Sequence, residues 1–283
     1  PLAGLRGGSF RLICGEGLSI RKAERGSFPG VSDKRRAMAL QDGNPSGREM
    51  TQLSIIVPTL NERENLPITV CQILDAMKGH CFEIIVVDDD SEDGTWLEAR
   101  RLSQQHGNVR LIRRIHRRGL ASAIMDGFLS GKGTFLAVLD ADRQHDIGLI
   151  PRMLQAMEHC DLVVGSRYLH QKRVPAWSPW RFRISQWASS LSHCFLEKDL
   201  TDPLSGFFMI RSSLLHEIAP RLHPRGFKLL LEILLRCPEL RVKELPYDFG
   251  ARVQGSSKLD VRVILDFAIA LFSRTFQGPR RAF

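Results

Sequence analysis

Short apolar runs that do not alternate with polar residues recur along this chain, and each run is followed by a stretch with helical character. The predicted strands are residues 53–57, 83–87, 109–112, 134–139 and 161–165, and the helices between them are 62–77, 95–106, 120–129 and 147–159. Continuous apolar strands that are separated by helices are typical of a parallel sheet buried on both faces. The predicted fold class is therefore α/β, with a Rossmann-like, mainly parallel sheet and helices on both faces.

Carboxylates cluster where these strands end, and ligands of such sheets bind beyond the carboxyl ends of the strands. Asp140 and Asp142 follow the fourth strand, two residues apart and on one side of an extended segment. Such hard oxygen ligands suit Mg²⁺ or Mn²⁺, which would bridge to a diphosphate. Gln144 and His145 are near enough to supply a further ligand or a supporting hydrogen bond. Taken alone, a D-x-D triplet is equally a chance loop sequence.

The turns after the first two strands also contain polar groups. Pro58 is expected to end the first strand and Asn61 to cap the following helix, which would leave backbone amides near Glu62 to meet a nucleotide. The alternative is a simple Pro-initiated turn with a helix cap. Asp89, after the second strand, could accept a hydrogen bond from a base or ribose, or lie in a solvated acidic turn.

The formal net charge of +9 suits anionic partners, which include nucleotides, phosphates, anionic lipid and nucleic acid. Residues 1–50 hold nine Lys and Arg against five Asp and Glu. They are predicted to be a basic, disordered extension, and an organelle presequence is the alternative. The six cysteines form no C-x-x-C pair, which favours buried thiols in a reducing compartment over disulfides.

The last part of the chain has an apolar stripe at helical spacing, from residue 260 to 276. Residues 260–283 are predicted to form an amphipathic helix that either lies on a membrane surface or packs on the domain. No run approaches the ~18 apolar residues that a spanning helix requires. Because the chain begins with Pro1, a membrane segment beyond Phe283 is left open.

Motifs of several other enzyme classes are missing from the sequence. It contains no G-x-S-x-G, H-E-x-x-H or G-x-x-x-x-G-K-[ST] pattern, which disfavours a serine hydrolase, a zinc protease and a Walker-type nucleotide hydrolase. The histidines have no zinc-ligand spacing with cysteine. His145 is the one histidine that we place near chemistry.

Seven blocks of sequence, in order and spacing, resemble the family 2 glycosyltransferases of GT-A fold, and within them the dolichol-phosphate mannose synthases. The blocks are residues 53–66, 86–95, 140–145, 165–168, 202–208, 226–228 and 252–259. The resemblance implies a GT-A catalytic domain over residues 51–259. It implies inverting transfer of mannose from GDP-mannose to dolichyl or polyprenyl phosphate. The reaction would take place at the cytoplasmic side of a membrane. The protein would be peripheral there, or anchored by a segment missing from this sequence.

The resemblance also assigns site residues. Those of the guanosine pocket would be Pro58, Leu60, Glu62, Val87 and Asp89. Asp140 and Ala141 would contact the nucleotide, while Asp142 and Gln144 would hold the metal. The residues around the donor diphosphate and acceptor phosphate would be Arg167, Lys228, Arg252 and Lys258, with Arg181 and Ser185 on the lipid phosphate. Catalysis would depend on Asp142, Arg167, Arg252 and Lys258.

Because a phosphate acceptor is already largely ionised near neutral pH, the reaction needs no dedicated general base. Asp202 is accordingly expected to have a structural or orienting role. Three alternatives stay open: a polyprenyl-phosphate glucosyl- or N-acetylhexosaminyltransferase that uses a UDP-sugar, a non-catalytic nucleotide-sugar-binding protein, and a nucleic-acid-binding protein. Only charge suggests the last, without interleaved aromatic residues, and no nucleic-acid partner is expected.

Overall fold

The computed structural model of the chain describes residues 51–169, 196, 199–223 and 229–250. The predicted extension of residues 1–50 and the predicted amphipathic helix of residues 260–283 lie outside this described part. The proposed limits of the catalytic domain, residues 51–259, therefore stay a prediction.

Strands and helices alternate through the first two thirds of the described chain. The strands are β1 (Leu53–Thr59), β2 (Phe82–Asp88), β3 (Val109–Arg113), β4 (Phe135–Val138), β5 (Leu162–Ser166), β6 (Phe208–Arg211) and β7 (Val242–Pro246). The α-helices are α1 (Asn65–Ala76), α2 (Thr95–Gln105), α3 (Leu120–Ser130), α4 (Ile150–Ala156), α5 (Ser212–Ile218) and α6 (Leu229–Arg236). Single 3-10 turns, Ile147–Leu149 and Ala219–Arg221, lead into α4 and follow α5.

Within the described residues, the strands form one seven-stranded sheet in the order β3-β2-β1-β4-β6-β5-β7. β1 pairs in parallel with β2 and β4, β2 with β3, and β5 with β7. β6 alone runs antiparallel, between β4 and β5. The carboxyl ends of the six parallel strands therefore lie along one edge. The mainly parallel sheet is as predicted, with one reversed strand.

Both faces of the sheet are buried, which explains why its strands do not alternate in sequence. Along β1, Ile55 and Val57 pack with α1, α2 and α4, whereas Ile56 packs on the other face with α3, α5 and α6. All three side chains are fully buried. Burying apolar surface on both faces is the main favourable free energy of such a fold, at roughly 25 cal/mol per Å². The rigid sheet then fixes where its loops begin.

Pro58 does not end the first strand, contrary to the sequence prediction. It lies within β1 and is level with Val87 of β2. The last pair of β1 with β4 joins Ile56 to Val138, and the carbonyl of Ile56 accepts from the amide of Leu139. Because backbone groups alternate in direction along a strand, the nitrogen of Pro58 points toward β4 beyond the end of that pairing. The missing N–H of proline therefore breaks no ladder hydrogen bond.

No helix in the described part of the chain is long and apolar enough to cross a membrane. The four cysteines described there, Cys71, Cys81, Cys160 and Cys237, are free thiols.

Gly127 marks the closest approach of α3 to the sheet. A Cβ added there would lie 2.6 Å from Cγ2 of Ile56 and 3.1 Å from Cγ2 of Val87. Gly127→Ala should therefore overpack this contact and lower the free energy of unfolding by about 1–3 kcal/mol. Urea denaturation measures the change.

Gly107→Ala is the matched control, since no atom lies within 4 Å of its added Cβ. We expect it to change the free energy of unfolding by less than about 0.5 kcal/mol. Equal effects of the two substitutions would contradict the close approach of α3.

Candidate active site

The loops that leave β1, β2, β3 and β4 at the carboxyl edge share an unusual backbone feature. Each contains one non-glycine residue with a left-handed backbone, and these are Asn61, Asp90, His116 and Arg143, with φ between 57° and 64°. Asn and Asp tolerate this conformation, while larger side chains adopt it at a cost that the surrounding structure must offset. The four loops are therefore built as sharp, fixed turns around one edge of the sheet.

Asp88 ties the first two loops together. Its buried carboxylate accepts from Oγ1 of Thr59 (2.9 Å) and from both the amide (2.9 Å) and the hydroxyl (2.6 Å) of Ser91. The hydroxyl oxygen of Ser91 in turn accepts from the amide of Asn61 at 2.9 Å, and Oδ1 of Asn61 accepts from the amide of Glu92 at 3.1 Å. Asp88 therefore holds the loops in place rather than meeting a ligand.

The prediction that Asn61 caps the first helix is wrong, because α1 begins at Asn65 with Glu64 at the cap position. The amides expected to meet a nucleotide are used within the protein. In addition to the amide of Asn61, that of Glu62 donates to Oγ1 of Thr95 at 2.9 Å, and that of Arg63 donates to Oδ2 of Asp93 at 3.1 Å. Side chains that follow β2 thus accept the hydrogen bonds of the backbone amides that the sequence analysis had expected to meet a ligand.

The residues predicted to line the guanosine pocket lie along this edge but differ in accessibility. Pro58 is buried in β1, and Leu60 is half-buried just beyond it. The side chain of Val87 belongs to the core beneath α3, so only its backbone faces the loops. Glu62 is half-buried, and its Oε2 accepts from the side-chain nitrogen Nδ2 of Asn65 at 2.8 Å.

Asp89 forms a buried ion pair with Arg114, a residue that the sequence analysis missed. Oδ1 of Asp89 lies 2.9 Å from Nη1 of Arg114, and Oδ2 accepts from the amide of Gly119 at 2.7 Å. Arg114 also donates to Ser122 at 2.6 Å, and its Nε lies 3.2 Å from Oδ2 of Asp126. Burial raises the pKa of Asp89, while the Gly119 hydrogen bond and the charge of Arg114 offset part of that rise. The loop between β3 and α3 therefore fixes this carboxylate.

The charged atoms of Asp89 and Arg114 lie close together, but their hydrogen-bond geometry is poor. Among the described residues, neither Oδ1 of Asp89 nor Nε of Arg114 has a hydrogen bond of good geometry, despite the short distances to opposite charges. Charge neutralisation makes the buried carboxylate tolerable, and Oδ1 retains capacity to accept. Asp89 is thus suited to receive a donor group of a base or ribose.

The loop after β4 carries the D-x-D residues and is tied down on two sides. The carbonyl of Ala141 accepts from Oγ1 of Thr69 on α1 at 2.9 Å. Gly250 donates its amide to the carbonyl of Gln144 at 3.0 Å, and its own carbonyl accepts from Nε2 of Gln144 at 3.3 Å. Asp142 is buried, and its Oδ1 accepts from the amide of Gln144 at 3.2 Å. The carboxylate of Asp142 is therefore held against the backbone of Gln144, while Gly250 holds the side chain of Gln144.

The side chain of His145 supports this loop through a hydrogen bond. Its Nδ1 accepts from the amide of Asp140 at 3.0 Å, so the proton of the neutral ring is on Nε2, 3.9 Å from Oδ2 of Asp140. The ring stacks on Phe207 with centroids 5.1 Å apart. Burial lowers the pKa of His145 to about 4, against the nearby charge of Asp142. Of the two roles that the sequence allowed, the structure has the supporting hydrogen bond, and Nδ1 is not available to a metal.

Arg167 follows β5 and is held by Asp202. Its Nε and Nη2 donate to the two carboxylate oxygens at 2.7 Å each, and its amide donates to Oδ2 at 3.2 Å. Burial opposes the positive charge, but Asp202 outweighs it and raises the pKa of Arg167 above its usual range. Because both oxygens of Asp202 accept from Arg167, this carboxylate orients the arginine, as expected, and is not placed to act as a base.

Part of the predicted site is not described. The residues outside the described ranges are Arg181, Ser185, Lys228, Arg252 and Lys258, so their assignments stay predictions. Among the described residues, no group of three or more His, Cys, Asp or Glu side chains could hold a metal ion. The assignment of a divalent cation to Asp142 and Gln144 stays a prediction, and their carboxylate and amide oxygens are hard donors that fit Mg²⁺ or Mn²⁺.

Comparison with known proteins identifies relatives over most of the chain. The sequence model of glycosyl transferase family 2 matches residues 54–219. Dolichol-phosphate mannosyltransferase of Pyrococcus furiosus is 40% identical over 219 residues, 76% of this chain and 61% of that protein. The dolichol-phosphate mannosyltransferase of Saccharomyces cerevisiae is 34% identical over 229 residues, 76% of this chain and 84% of that protein. The chain thus spans about three fifths of the P. furiosus relative, and the predicted family resemblance is confirmed.

A solved structure shares the fold. Glucosyl-3-phosphoglycerate synthase from Mycobacterium tuberculosis, in complex with Mn²⁺, UDP and glucosyl-3-phosphoglycerate, matches with a TM-score of 0.59 and 18% sequence identity. The match covers 79% of this chain and 80% of that chain. At this identity the likeness concerns the fold alone, and it confirms the predicted GT-A, Rossmann-like class.

The depressed pKa of His145 predicts a pH-dependent stability. The unfolded imidazole takes up a proton below about pH 6.5, whereas the folded one does so only near pH 4. Stability should therefore fall as the pH drops through this window. In His145→Asn, whose Oδ1 can replace Nδ1 as acceptor for the Asp140 amide, the loss between pH 6.5 and 4.5 should be smaller by roughly 2–3 kcal/mol.

Denaturant unfolding of both proteins at the two pH values measures this difference. Carboxylates that titrate in the same range are common to both proteins and cancel in the comparison. Parallel losses in the two proteins would mean that His145 is not neutral in the folded state.

Proposed function

The chain belongs to glycosyl transferase family 2, and from that premise we propose that it transfers mannose from GDP-mannose to dolichyl or another polyprenyl phosphate, inverting the anomeric configuration. The relatives from P. furiosus and S. cerevisiae, both dolichol-phosphate mannosyltransferases, support mannose as the sugar and dolichyl phosphate as the acceptor.

The observation that carries the proposal is the order of polar groups along the carboxyl edge of the sheet. Asp89 follows β2, Asp140 and Asp142 follow β4, and Arg167 follows β5, with β1 and β6 between them. A nucleotide sugar has the same order of chemistry, from base and ribose through diphosphate to the reacting sugar. We infer that the guanosine lies toward Asp89 and the acceptor phosphate toward Arg167.

We propose Mg²⁺ or Mn²⁺ as the cofactor, held by Asp142 and Gln144. The amide nitrogen of Gln144 donates to Gly250, which orients the amide group and leaves Oε1 as its oxygen donor. A cation held there supplies positive charge that stabilises the diphosphate as it leaves. Asp140, half-exposed beside Ala141, would contact the nucleotide. All other proposed contacts with the substrates would be made by side chains of the protein itself.

The acceptor needs little activation by the protein. A phosphate monoester has a second pKa near 6, so one of its oxygens is already anionic at neutral pH. That oxygen attacks the anomeric carbon as the bond between this carbon and the diphosphate oxygen breaks, and no proton has to be moved. Arg167, fixed by Asp202, provides a preorganised positive charge for the phosphates.

The remaining proposed contacts lie outside the described residues. Lys228, Arg252 and Lys258 would surround the phosphates, and Arg181 and Ser185 would bind the lipid phosphate, a task that suits the planar guanidinium. A lipid acceptor places the reaction at a membrane surface, and we propose the cytoplasmic side of that membrane. Nucleotide sugars would be available there, and the free thiols among the described cysteines suit a reducing compartment. The net charge of +9 supports attraction to an anionic surface.

A donor and acceptor assay tests the function. The purified chain is given GDP-mannose or UDP-glucose, a short polyprenyl phosphate, and Mg²⁺ or Mn²⁺, with a chelator as control. We expect transfer of mannose to the lipid, dependent on the cation, and little transfer from UDP-glucose. Preferred turnover of UDP-glucose, or binding of GDP-mannose without transfer, would contradict the proposal.

Asp142→Ala should lower the transfer rate by at least about 100-fold, because it removes the carboxylate proposed to hold the cation. Asp146→Ser is the matched control: this exposed carboxylate lies in the same loop and caps the 3-10 turn, and serine can also cap. Circular dichroism establishes that both variants are folded. Normal turnover by a folded Asp142→Ala protein would exclude the metal assignment.

A further inference from the structure

Tyr247 directly follows β7 and therefore lies at the same carboxyl edge as the candidate site. Its amide donates to the carbonyl of Ser166 at 3.3 Å. Its ring contacts three others edge-on or tilted, with centroid distances of 5.5 Å to Phe207, 5.9 Å to His145 and 6.1 Å to Phe249. The packing of these three rings restricts the position of the Tyr247 phenol.

The backbone of β5 closes another side of the ring. A Cβ added at Gly165 would lie 3.3 Å from Cε1 of Tyr247 and 2.7 Å from Cδ1 of Phe207. Only a glycine lets the two rings approach the strand this closely. The direction of the Tyr247 hydroxyl is therefore set by packing rather than by a hydrogen bond.

The hydroxyl itself is buried and has no hydrogen-bond partner among the described residues. Buried hydroxyl groups nearly always have a partner, and leaving one unpaired costs free energy. A phenylalanine would fill the same aromatic contacts without that cost. The hydroxyl is therefore expected to gain its partner when the protein binds a substrate.

The charged groups around the phenol indicate what that partner is. The groups that act on it electrostatically include Arg167, its partner Asp202, and Asp140 and Asp142 of the D-x-D loop. Burial raises the pKa of Tyr247 well above its usual value, so the phenol keeps its proton and acts as a donor. A protonated donor close to an arginine and to the D-x-D loop suits a phosphate oxygen.

We propose that Tyr247 is a substrate-contacting residue, whose hydroxyl donates a hydrogen bond to a phosphate oxygen bound between the D-x-D loop and Arg167. The inference rests on the proposed function, because both the nucleotide donor and the lipid acceptor bring phosphate to this place. Because the hydroxyl is buried, the proposal includes a movement of neighbouring side chains as the substrate binds.

Tyr247→Phe removes the hydroxyl and keeps the ring. We expect the variant to be at least as stable as the unmodified protein and to lose roughly 10- to 100-fold in kcat/KM, the range for a hydrogen bond to a charged group. A rise in KM for the lipid identifies the acceptor phosphate as the partner, and a weaker GDP affinity in calorimetry identifies the donor. Unchanged kinetics with both substrates would overturn the proposal.

Ser54→Ala is the control for a purely structural hydroxyl. Ser54 lies near the start of β1, donates to Glu83 at 2.6 Å and accepts from the amide of Gly133 at 2.8 Å. Its loss should lower the melting temperature and leave kcat/KM unchanged. If Tyr247→Phe instead behaves as Ser54→Ala does, Tyr247 is structural and the proposal fails.

A second measurement does not depend on the folding of Tyr247→Phe. The chain has two tyrosines, so Tyr168→Phe leaves Tyr247 as the single site for fluorotyrosine. The fluorine resonance should shift when GDP with Mg²⁺, or a short polyprenyl phosphate, is added. No shift with either ligand, although calorimetry detects their binding, would overturn the proposal. If the unmodified protein neither binds GDP nor transfers mannose, the proposed function fails first and the inference falls with it.

Discussion

Strand β1 runs in parallel between β2 and β4, and the positions of Asp89 and of the D-x-D loop at the candidate site depend on that arrangement. The register sets Thr59 level with Asp88, and the pairing with β4 ends where Ile56 meets Val138. The loops that follow β1, β2 and β4 therefore leave the sheet near one another. Asp88 then ties the loops through Thr59 and Ser91. The apolar core on both faces supplies the stability, and the loops take their positions from it.

The polar groups at this edge are held by two different means. Asp89 and Asp202 are buried carboxylates, each paired with an arginine, Arg114 and Arg167, and removing one partner of a buried pair usually costs several kcal/mol. The hydrogen bonds that hold the D-x-D loop include those of Thr69, Gly250 and the ring of His145.

Sequence reasoning predicted the sheet and the position of the D-x-D loop at its carboxyl edge, because apolar periodicity and strand ends are local signals. It could not place Arg114, one of three arginines in the five residues after β3, since burial distinguishes it only in the folded protein. It also misread Asn61 as a helix cap, because the left-handed turn depends on contacts with the next loop. The reversal of β6 and the unpaired hydroxyl of Tyr247 likewise follow from tertiary packing.

The most direct test of the account is a crystal structure with GDP-mannose and Mn²⁺, with diffraction recorded at the manganese absorption edge. The account predicts one strong anomalous peak at bonding distance from oxygens of Asp142, Gln144 and the diphosphate, with the guanosine toward Asp89. A manganese peak at another place, or a nucleotide bound away from the loop after β4, would contradict it.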